Sequence, residues 1–255
     1  MTIARRDGRI PFEMIVDRSR QTIDCTYWND LDHLAYNLDR ELQDFRRDYW
    51  QDQPVHVEIL LEKDAMSGSV MSVVQDYGLI LTPVRGFDSS ANVYEIAKRL
   101  VKARQVGKSA HILYLGDFDP SGTDMERDIK ARLEEFMGYV LRDKGDEPDE
   151  ELCQIGIERV AIFKADIGRY RLPPQRAKDT DPRSKAFRKK HGKQTVELDA
   201  LRPDILRQRL HNAIDKLIDH VAWDRAKLVE EAQQITCQRY AGMLKKMAET
   251  AGPTA

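Results

Sequence analysis

The sequence predicts an α/β fold: a mainly parallel sheet flanked by helices, with helical extensions at the N- and C-terminal ends. Two observations carry this. Four short apolar runs, Val55–Leu61, Leu79–Thr82, Ala110–Leu115 and Arg159–Phe163, read as strands. Helical stretches of the length a crossover needs lie between them, at Ser67–Asp76, Ala91–Gln105 and Thr123–Leu141. Strands alternating with helices in this way build parallel sheets covered on both faces. In the stretch Ala91–Gln105, Val93, Ile96, Ala97, Leu100 and Val101 share one face.

Elements outside this alternation are helical. Leu31, Leu34, Leu38, Leu42 and Phe45 recur at three- and four-residue steps, which predicts a helix over 27–50 that Pro54 terminates. Leu206, Leu210, Ala213, Leu217 and Val221 form a second stripe, and a last helix runs from Asp224 to about Met247. The acidic segment Asp143–Glu151, with Gly145 and Pro148, reads as a solvated loop. Three regions follow: an N-terminal helical extension over 1–54, an α/β domain over 55–202 that includes a basic loop at 169–193, and a C-terminal helical region over 203–255.

A chain of 255 residues with 41% hydrophobic and 33% charged residues can bury a sizeable core beneath a very polar surface. The net charge of −2 excludes a protein that coats nucleic acid over its whole surface, so such binding must come from a local basic patch or from metal ions. Three scattered cysteines, Cys25, Cys153 and Cys237, offer no CxxC pair for zinc and fit a reducing compartment. No run reaches the ~20 apolar residues of a membrane span, and the polar N-terminus lacks the apolar stretch of a signal peptide. The expected location is the cytoplasm, with no membrane partner.

The chemistry concentrates at strand ends. Glu62-Lys63-Asp64 directly follows the run Val57-Glu58-Ile59-Leu60-Leu61. Gly116-Asp117-Phe118-Asp119-Pro120-Ser121-Gly122 directly follows the run ending at Leu115, and Gly86 lies in a loop after the second run. Ligands of open parallel sheets collect at the carboxyl ends of the strands. If the first and third strands are neighbours, Glu62, Asp117 and Asp119 converge. In an extended segment Asp117 and Asp119 face one side and Phe118 the other. Three nearby carboxylates repel one another unless a cation or proton neutralises them, and oxygen-only ligands select a hard ion, Mg²⁺ or Mn²⁺. Taken alone, an Asp-x-Asp segment more often opens a turn and caps a helix; the combination with Glu62, 55 residues upstream, favours a site.

These motifs resemble the Toprim domain, a Rossmann-like fold shared by topoisomerases, bacterial primases, old-type nucleases and recombination proteins. The likeness covers roughly residues 55–202. It is strongest toward the Toprim domain of the type IIB topoisomerase A subunit and its meiotic double-strand-break relative, through Leu60-Leu61-Glu62-Lys63-Asp64-Ala65-Met66 and the Gly116–Gly122 turn. That turn is also similar to one in the nuclease subunit of plasmid-restricting SMC-type systems. The resemblance implies that Glu62, Asp117 and Asp119 are catalytic residues that hold the metal against a nucleic-acid phosphate. The topoisomerase relatives carry a nucleophilic tyrosine, in a Tyr-Tyr motif, on a winged-helix domain. No Tyr-Tyr pair occurs in this chain, and Tyr27, Tyr36 and Tyr49, which fit a helical core face or its edge, lack that context.

The expected function is Mg²⁺-dependent cleavage of DNA phosphodiesters, as a nuclease or as the Toprim part of a topoisomerase-like strand-cleaving assembly. The alternative is a non-catalytic, metal-stabilised DNA-binding or assembly module of a larger complex. Lys63, Arg183, Arg188, Lys189 and Lys190 are the candidate nucleic-acid contacts. The basic stretch from Arg169 to Lys193 reads equally as a phosphate track and as a solvated loop. Arg5, Arg6 and Arg9 form a second basic edge or a frayed terminus. Glu197 and Asp199 fit a helix start better than the site, and the six histidines show no metal-ligand spacing. Expected partners are DNA, with RNA left open, an ATPase or winged-helix subunit, and a second copy of the chain.

Overall fold

A computed structural model describes residues 27–84, 90–146, 149–176 and 183–251. Gly86, the arginines at 5, 6 and 9, Cys25, Pro148 and the stretch 177–182 lie outside them. In chain order the elements are α1 (Leu31–Gln43), β1 (Val55–Leu61), α2 (Ser67–Tyr77), β2 (Ile80–Pro83), α3 (Ser90–Gln105), β3 (Ser109–Leu115), α4 (Pro120–Asp143), α5 (Glu150–Cys153), β4 (Gly156–Ala161), α6 (Lys164–Arg169), β5 (Gln175–Arg176), α7 (Ser184–His191), β6 (Gln194–Thr195), α8 (Pro203–Asp215) and α9 (His220–Ala251). The chain forms two units by its internal contacts, Arg46–Ala232 and the segments before and after it.

The larger unit is built on a four-stranded sheet of order β2-β1-β3-β4, parallel throughout. The apolar runs are continuous because both faces are covered. Val57, Ile59 and Leu61 of β1, with Leu113 and Leu115 of β3, meet Val70 and Val74 of α2 and Leu206 and Leu210 of α8. Leu60, Ile112 and Tyr114 point the other way, onto Ile96 and Leu100 of α3 and Ile129, Leu133 and Met137 of α4. This is an α/β sheet with helices on both faces, compatible with a Rossmann-like fold.

One charge lies inside β1. Glu58 is fully buried and takes a two-pronged hydrogen bond from Arg99 of α3, at 2.8 and 2.7 Å, and a contact at 3.0 Å to His56. Burial pushes its pKa up, but the hydrogen bonds and charges of Arg99 and His56 outweigh that and hold the carboxyl low. A charge in the core of the sheet is thus retained by a fixed partner on the helix above.

Several boundaries differ from the sequence expectation, each for a physical reason. The first helix is confined to Leu31–Gln43, because Asp30 caps it by accepting from the His33 N–H at 2.7 Å and Asp44 closes it. None of its residues is buried. The fourth strand begins at Gly156 rather than Arg159. It is an edge strand, so its first residues are only half covered, with Ile157 alone among the first three apolar. The acidic loop over 143–151 ends in a short helix, α5, capped by Asp149. The basic stretch contains regular elements: β5 pairs antiparallel with β6, and α7 lies between them in sequence. The stripe from Leu206 to Val221 breaks at the end of α8, and Val221 is 72% exposed.

Helix α8 follows the α/β domain in the sequence division, yet its stripe fills the core of the larger unit against α2 and the sheet. Its Arg209 also forks onto the buried Asp166 carboxylate of α6, with Nη1 to Oδ2 at 2.7 Å and Nη2 to Oδ1. In the other unit, Lys245 of α9 pairs with Asp39 of α1 at 3.2 Å, and the Gln234 amide donates to the Phe45 carbonyl at 3.4 Å. No helix among the described residues is long and apolar enough to cross a membrane.

Leu210 is fully buried between α8 and the sheet. Leu210→Ala should therefore cost about 2–5 kcal/mol of stability, as core leucine truncations do, measured by urea denaturation of the full chain. A loss of less than about 0.5 kcal/mol, the usual range of a surface substitution, would show that α8 lies outside this core.

Candidate functional site

The site is set by the pairing of β1 with β3. The chain moves outward from β1 to β2, then returns across β1 to β3, so the order reverses between β1 and β3. That reversal opens a crevice at the carboxyl ends of the two strands. Leu61 and Leu115 are level in the ladder, and the Glu62 N–H donates to the Leu115 carbonyl at 2.9 Å. Glu62 and the segment Asp117-Phe118-Asp119 therefore leave adjacent strands at the same height.

Glu62 turns toward that segment. Its Oε2 accepts the Asp117 N–H at 2.8 Å and the Tyr114 hydroxyl at 3.0 Å. Tyr114 and Gly116 lie on the same side of the chain, and a Cβ on Gly116 would overlap the tyrosine ring. Gly122, in the first turn of α4, is crowded in the same way. A Cβ there would collide with the Asp117 carbonyl and stand 3.1 Å from Glu62 Oε2. These two glycines permit the close approach of chain to carboxylate.

Asp117 is 7% exposed. Its Oδ1 accepts the Leu198 N–H at 2.7 Å, and its Oδ2 lies 3.4 Å from Lys63 Nζ. Phe118 turns into the core against Phe187 and His191, with ring centroids 5.2 and 5.5 Å away. Its backbone bridges that of Val196, with N–H to carbonyl distances of 2.9 and 3.0 Å. This bridge brings Val196-Glu197-Leu198-Asp199 to the carboxylates. Asp119 is extended and caps α4, its Oδ1 accepting the Gly122 N–H at 2.6 Å. The commonplace role of an Asp-x-Asp segment, capping a helix, is thus realised beside the site.

Glu197 and Asp199 belong to the site rather than only to a helix start. Lys63 Nζ donates to Glu197 Oε2 at 2.7 Å and to Asp199 Oδ2 at 3.4 Å. Partial burial works against the ammonium, but the Glu197 hydrogen bond and the charges of Asp117, Asp199 and Glu197 raise the Lys63 pKa. The two central carboxyls are also raised. Burial is the main cause for Glu62, and the charges of Asp117 and Asp119 add to it against the hydrogen bonds from Asp117 and Tyr114. Burial likewise raises Asp117, aided by Asp119 and opposed by Leu198 and Lys63. Tyr114 is pushed far up by burial and by the Glu62 charge.

The carboxylates stand side by side without closing on a common point. Among the described residues no group of three His, Cys, Asp or Glu side chains is arranged to hold a metal ion. All three are engaged within the chain. Glu62 accepts from the Asp117 N–H, Asp117 meets Leu198 and Lys63, and Asp119 caps a helix.

Two functional neighbours carry weak sequence signals. Tyr114 hides in an apolar run; the glycine two residues on is the only cue. Arg159, on β4, has no motif. Its Nη1 donates to the carbonyls of Gly116 at 3.0 Å and Asp117 at 3.1 Å, its Nη2 to Gly122 at 2.6 Å, and its Nε to Glu126 at 3.1 Å. It clamps the whole turn. Of the predicted nucleic-acid contacts, Lys63 is in the carboxylate cluster. Arg183 precedes α7, and Arg188, Lys189 and Lys190 lie in its last turn. Tyr27 and Tyr36, expected on a helical core face or its edge, are 78% and 62% exposed: Tyr27 precedes α1, and α1, which carries Tyr36, buries no residue. Tyr49 does pack, edge-on to Trp223 at 4.9 Å.

No family model matches the chain, and neither a curated protein nor a solved structure does. The site is therefore read from its own geometry.

Glu62→Gln keeps an acceptor for Asp117 and Tyr114 while removing a charge that the fold disfavours. A raised native pKa means that ionisation destabilises the folded chain. The parent loses this contribution as pH rises from the ordinary glutamate value of about 4.3 through the raised native value. The variant should therefore melt higher than the parent at neutral pH, with a margin that grows between acid and neutral pH. A margin equal at both would show that Glu62 carries no such strain.

Proposed function

We propose that this chain is a Toprim-type enzyme, dependent on Mg²⁺ or Mn²⁺, that cleaves DNA phosphodiesters by hydrolysis. One observation carries the reading: Glu62 and Asp117 leave level, adjacent parallel strands at the point of strand-order reversal and are hydrogen-bonded to each other, with Asp119 at the start of α4. The residues fit a hard divalent cation in donor type, all being carboxylates, and in charge, since two of them are raised by burial and mutual repulsion. Glu62, Asp117 and Asp119 would hold it. When bound, the ion supplies positive charge to the phosphate and to the leaving oxygen.

The chain's own groups supply the rest. The Asp117 N–H and the Tyr114 hydroxyl orient Glu62, whose raised pKa also suits it to take a proton from an attacking water. The water oxygen bonds to phosphorus as the bond from phosphorus to the leaving sugar oxygen breaks. The N-terminus of α4 places partial positive charge beside the phosphate. Tyr114 is buried, acts as a donor to Glu62 and holds its proton tightly, which speaks against it as a nucleophile. A second reading, a non-catalytic DNA-binding or assembly module, is favoured by Lys63, which pairs with Asp117, Glu197 and Asp199 and offsets part of their charge from within the chain.

Mg²⁺ or Mn²⁺ should raise the melting temperature. At about a hundred times Kd the gain is about 2.7 kcal/mol, roughly 5–10 °C for a unit of this size. Asp117→Asn combined with Asp119→Asn should abolish the rise; an equal rise in parent and variant would place the metal elsewhere.

Cleavage of a supercoiled plasmid separates the readings. Glu62→Ala, Asp117→Ala and Asp119→Ala should each lower the metal-dependent rate at least a hundredfold, the size of effect expected on losing charge stabilisation. Phe at Tyr27, Tyr36 or Tyr49 should leave the rate within about tenfold, as no transesterifying hydroxyl is lost. A folded Tyr→Phe variant as inactive as the carboxylate variants, or a covalent phosphotyrosyl adduct, would replace hydrolysis by strand transfer. DNA binding without cleavage in the parent, retained in Asp117→Ala, would favour the module.

A further inference from the structure

A basic groove of about 340 Å³ lies between the first turns of α4 and helix α7. Thr123 and Arg127 stand on the α4 side; Arg183, Lys190 and His191 stand on the other. Pro120, which also lines it, directly follows Asp119. The α7 side is fastened to the carboxylate turn as well, because Phe187 and His191 stack on Phe118, the residue between Asp117 and Asp119. The groove therefore begins one residue beyond Asp119, and the packing of Phe118 ties α7 to the turn that carries the carboxylates.

Its charge is lopsided. The Arg127 side chain is 81% exposed and pairs at 2.8 Å with Asp124, the one acid among the described lining residues. Lys190 and Arg183 are exposed. The α4 N-terminus adds partial positive charge on the same side. The His191 pKa is lowered, first by burial and then by the nearby cations Lys190, Lys164 and Arg159. The carboxylate cluster repels a phosphodiester unless cations sit nearby; this groove is where the chain provides them.

We infer that the groove seats the DNA strand next to the scissile phosphate, with backbone phosphates on Arg127, Arg183 and Lys190. The inference rests on the nuclease reading and adds the path of the substrate strand. It assigns a role to Arg127, which no motif marks, and it separates Lys190 and Arg183 from Arg188 and Lys189, which do not line the groove.

The test is fluorescence anisotropy of a labelled single-stranded oligodeoxynucleotide with the full chain, without divalent metal, over a salt series. Arg127→Gln combined with Lys190→Gln should flatten the slope of log affinity against log salt by about 0.7 per lost single-strand phosphate contact, about 1.4 in all. Lys98→Gln combined with Lys102→Gln, an equal charge change on α3, should leave the slope unchanged. Both pairs are at the surface, and circular dichroism confirms the fold. If the groove pair leaves the slope intact, or the α3 pair flattens it equally, while the parent still binds and cleaves, the groove assignment fails and the nuclease reading stands. If the parent binds no DNA, both fail. An RNA strand of the same sequence bound more than tenfold tighter would overturn DNA as the occupant.

Discussion

The backbone N–H of Asp117 lies 2.8 Å from the Glu62 carboxylate, a hydrogen bond that exists only because β1 and β3 run parallel, side by side and end level. Much else hangs on that register. A shift of one residue would turn the apolar side chains of β1 to the opposite face, burying Glu58 away from Arg99 and carrying Glu62 away from the turn. Gly116 and Gly122 are spaced so that Tyr114 and Glu62 can close on Asp117, and Arg159 holds three carbonyls of the same turn from the next strand. The site is thus an extension of the sheet's own pairing, not a loop laid over it.

Electrostatics run against folding at this point. Asp117 is buried and Glu62 half-buried, close to each other and to Asp119, and both carboxyls are raised. A structure selected only for stability would place apolar or paired groups there, as it does at Glu58, where Arg99 answers the charge. Glu58 and Glu62, two acids of the same strand and its end, contrast. Glu58 has a fixed partner and a lowered pKa; Glu62 has hydrogen bonds, no cation of its own among the described residues, and a raised one. Strain of the second kind is what functional sites accumulate. Lys63 relieves part of it, held in place by Glu197 and Asp199. Its ammonium makes the cluster tolerable in the chain alone.

The same sheet shows where a sequence can be read and where it cannot. The runs at β1 and β3 were legible because central parallel strands are apolar on both sides, and the observed β1 matches the predicted bounds, Val55–Leu61. The edge strand β4 was displaced by three residues at its start because only one side of it is covered there. Glu62 and the Asp117–Asp119 pair could be singled out because acids at the end of an apolar strand are conspicuous and local. Glu197 and Asp199 sit 134 and 136 residues from Lys63, and nothing in their own segment points to the Phe118–Val196 bridge that delivers them.

By itself, then, the sequence determined the parallel α/β alternation, the strand-end carboxylates and the glycines that crowd them, because each depends on burial or spacing within a few residues. Only the tertiary structure decided that β1 and β3 are neighbours, that α8 completes the core under the sheet, and that Lys63, Tyr114 and Arg159 converge on one turn. Those are contacts between segments far apart in the chain. They arise from the packing of two helical layers onto one sheet, and no local pattern of residue types encodes which pairs will meet.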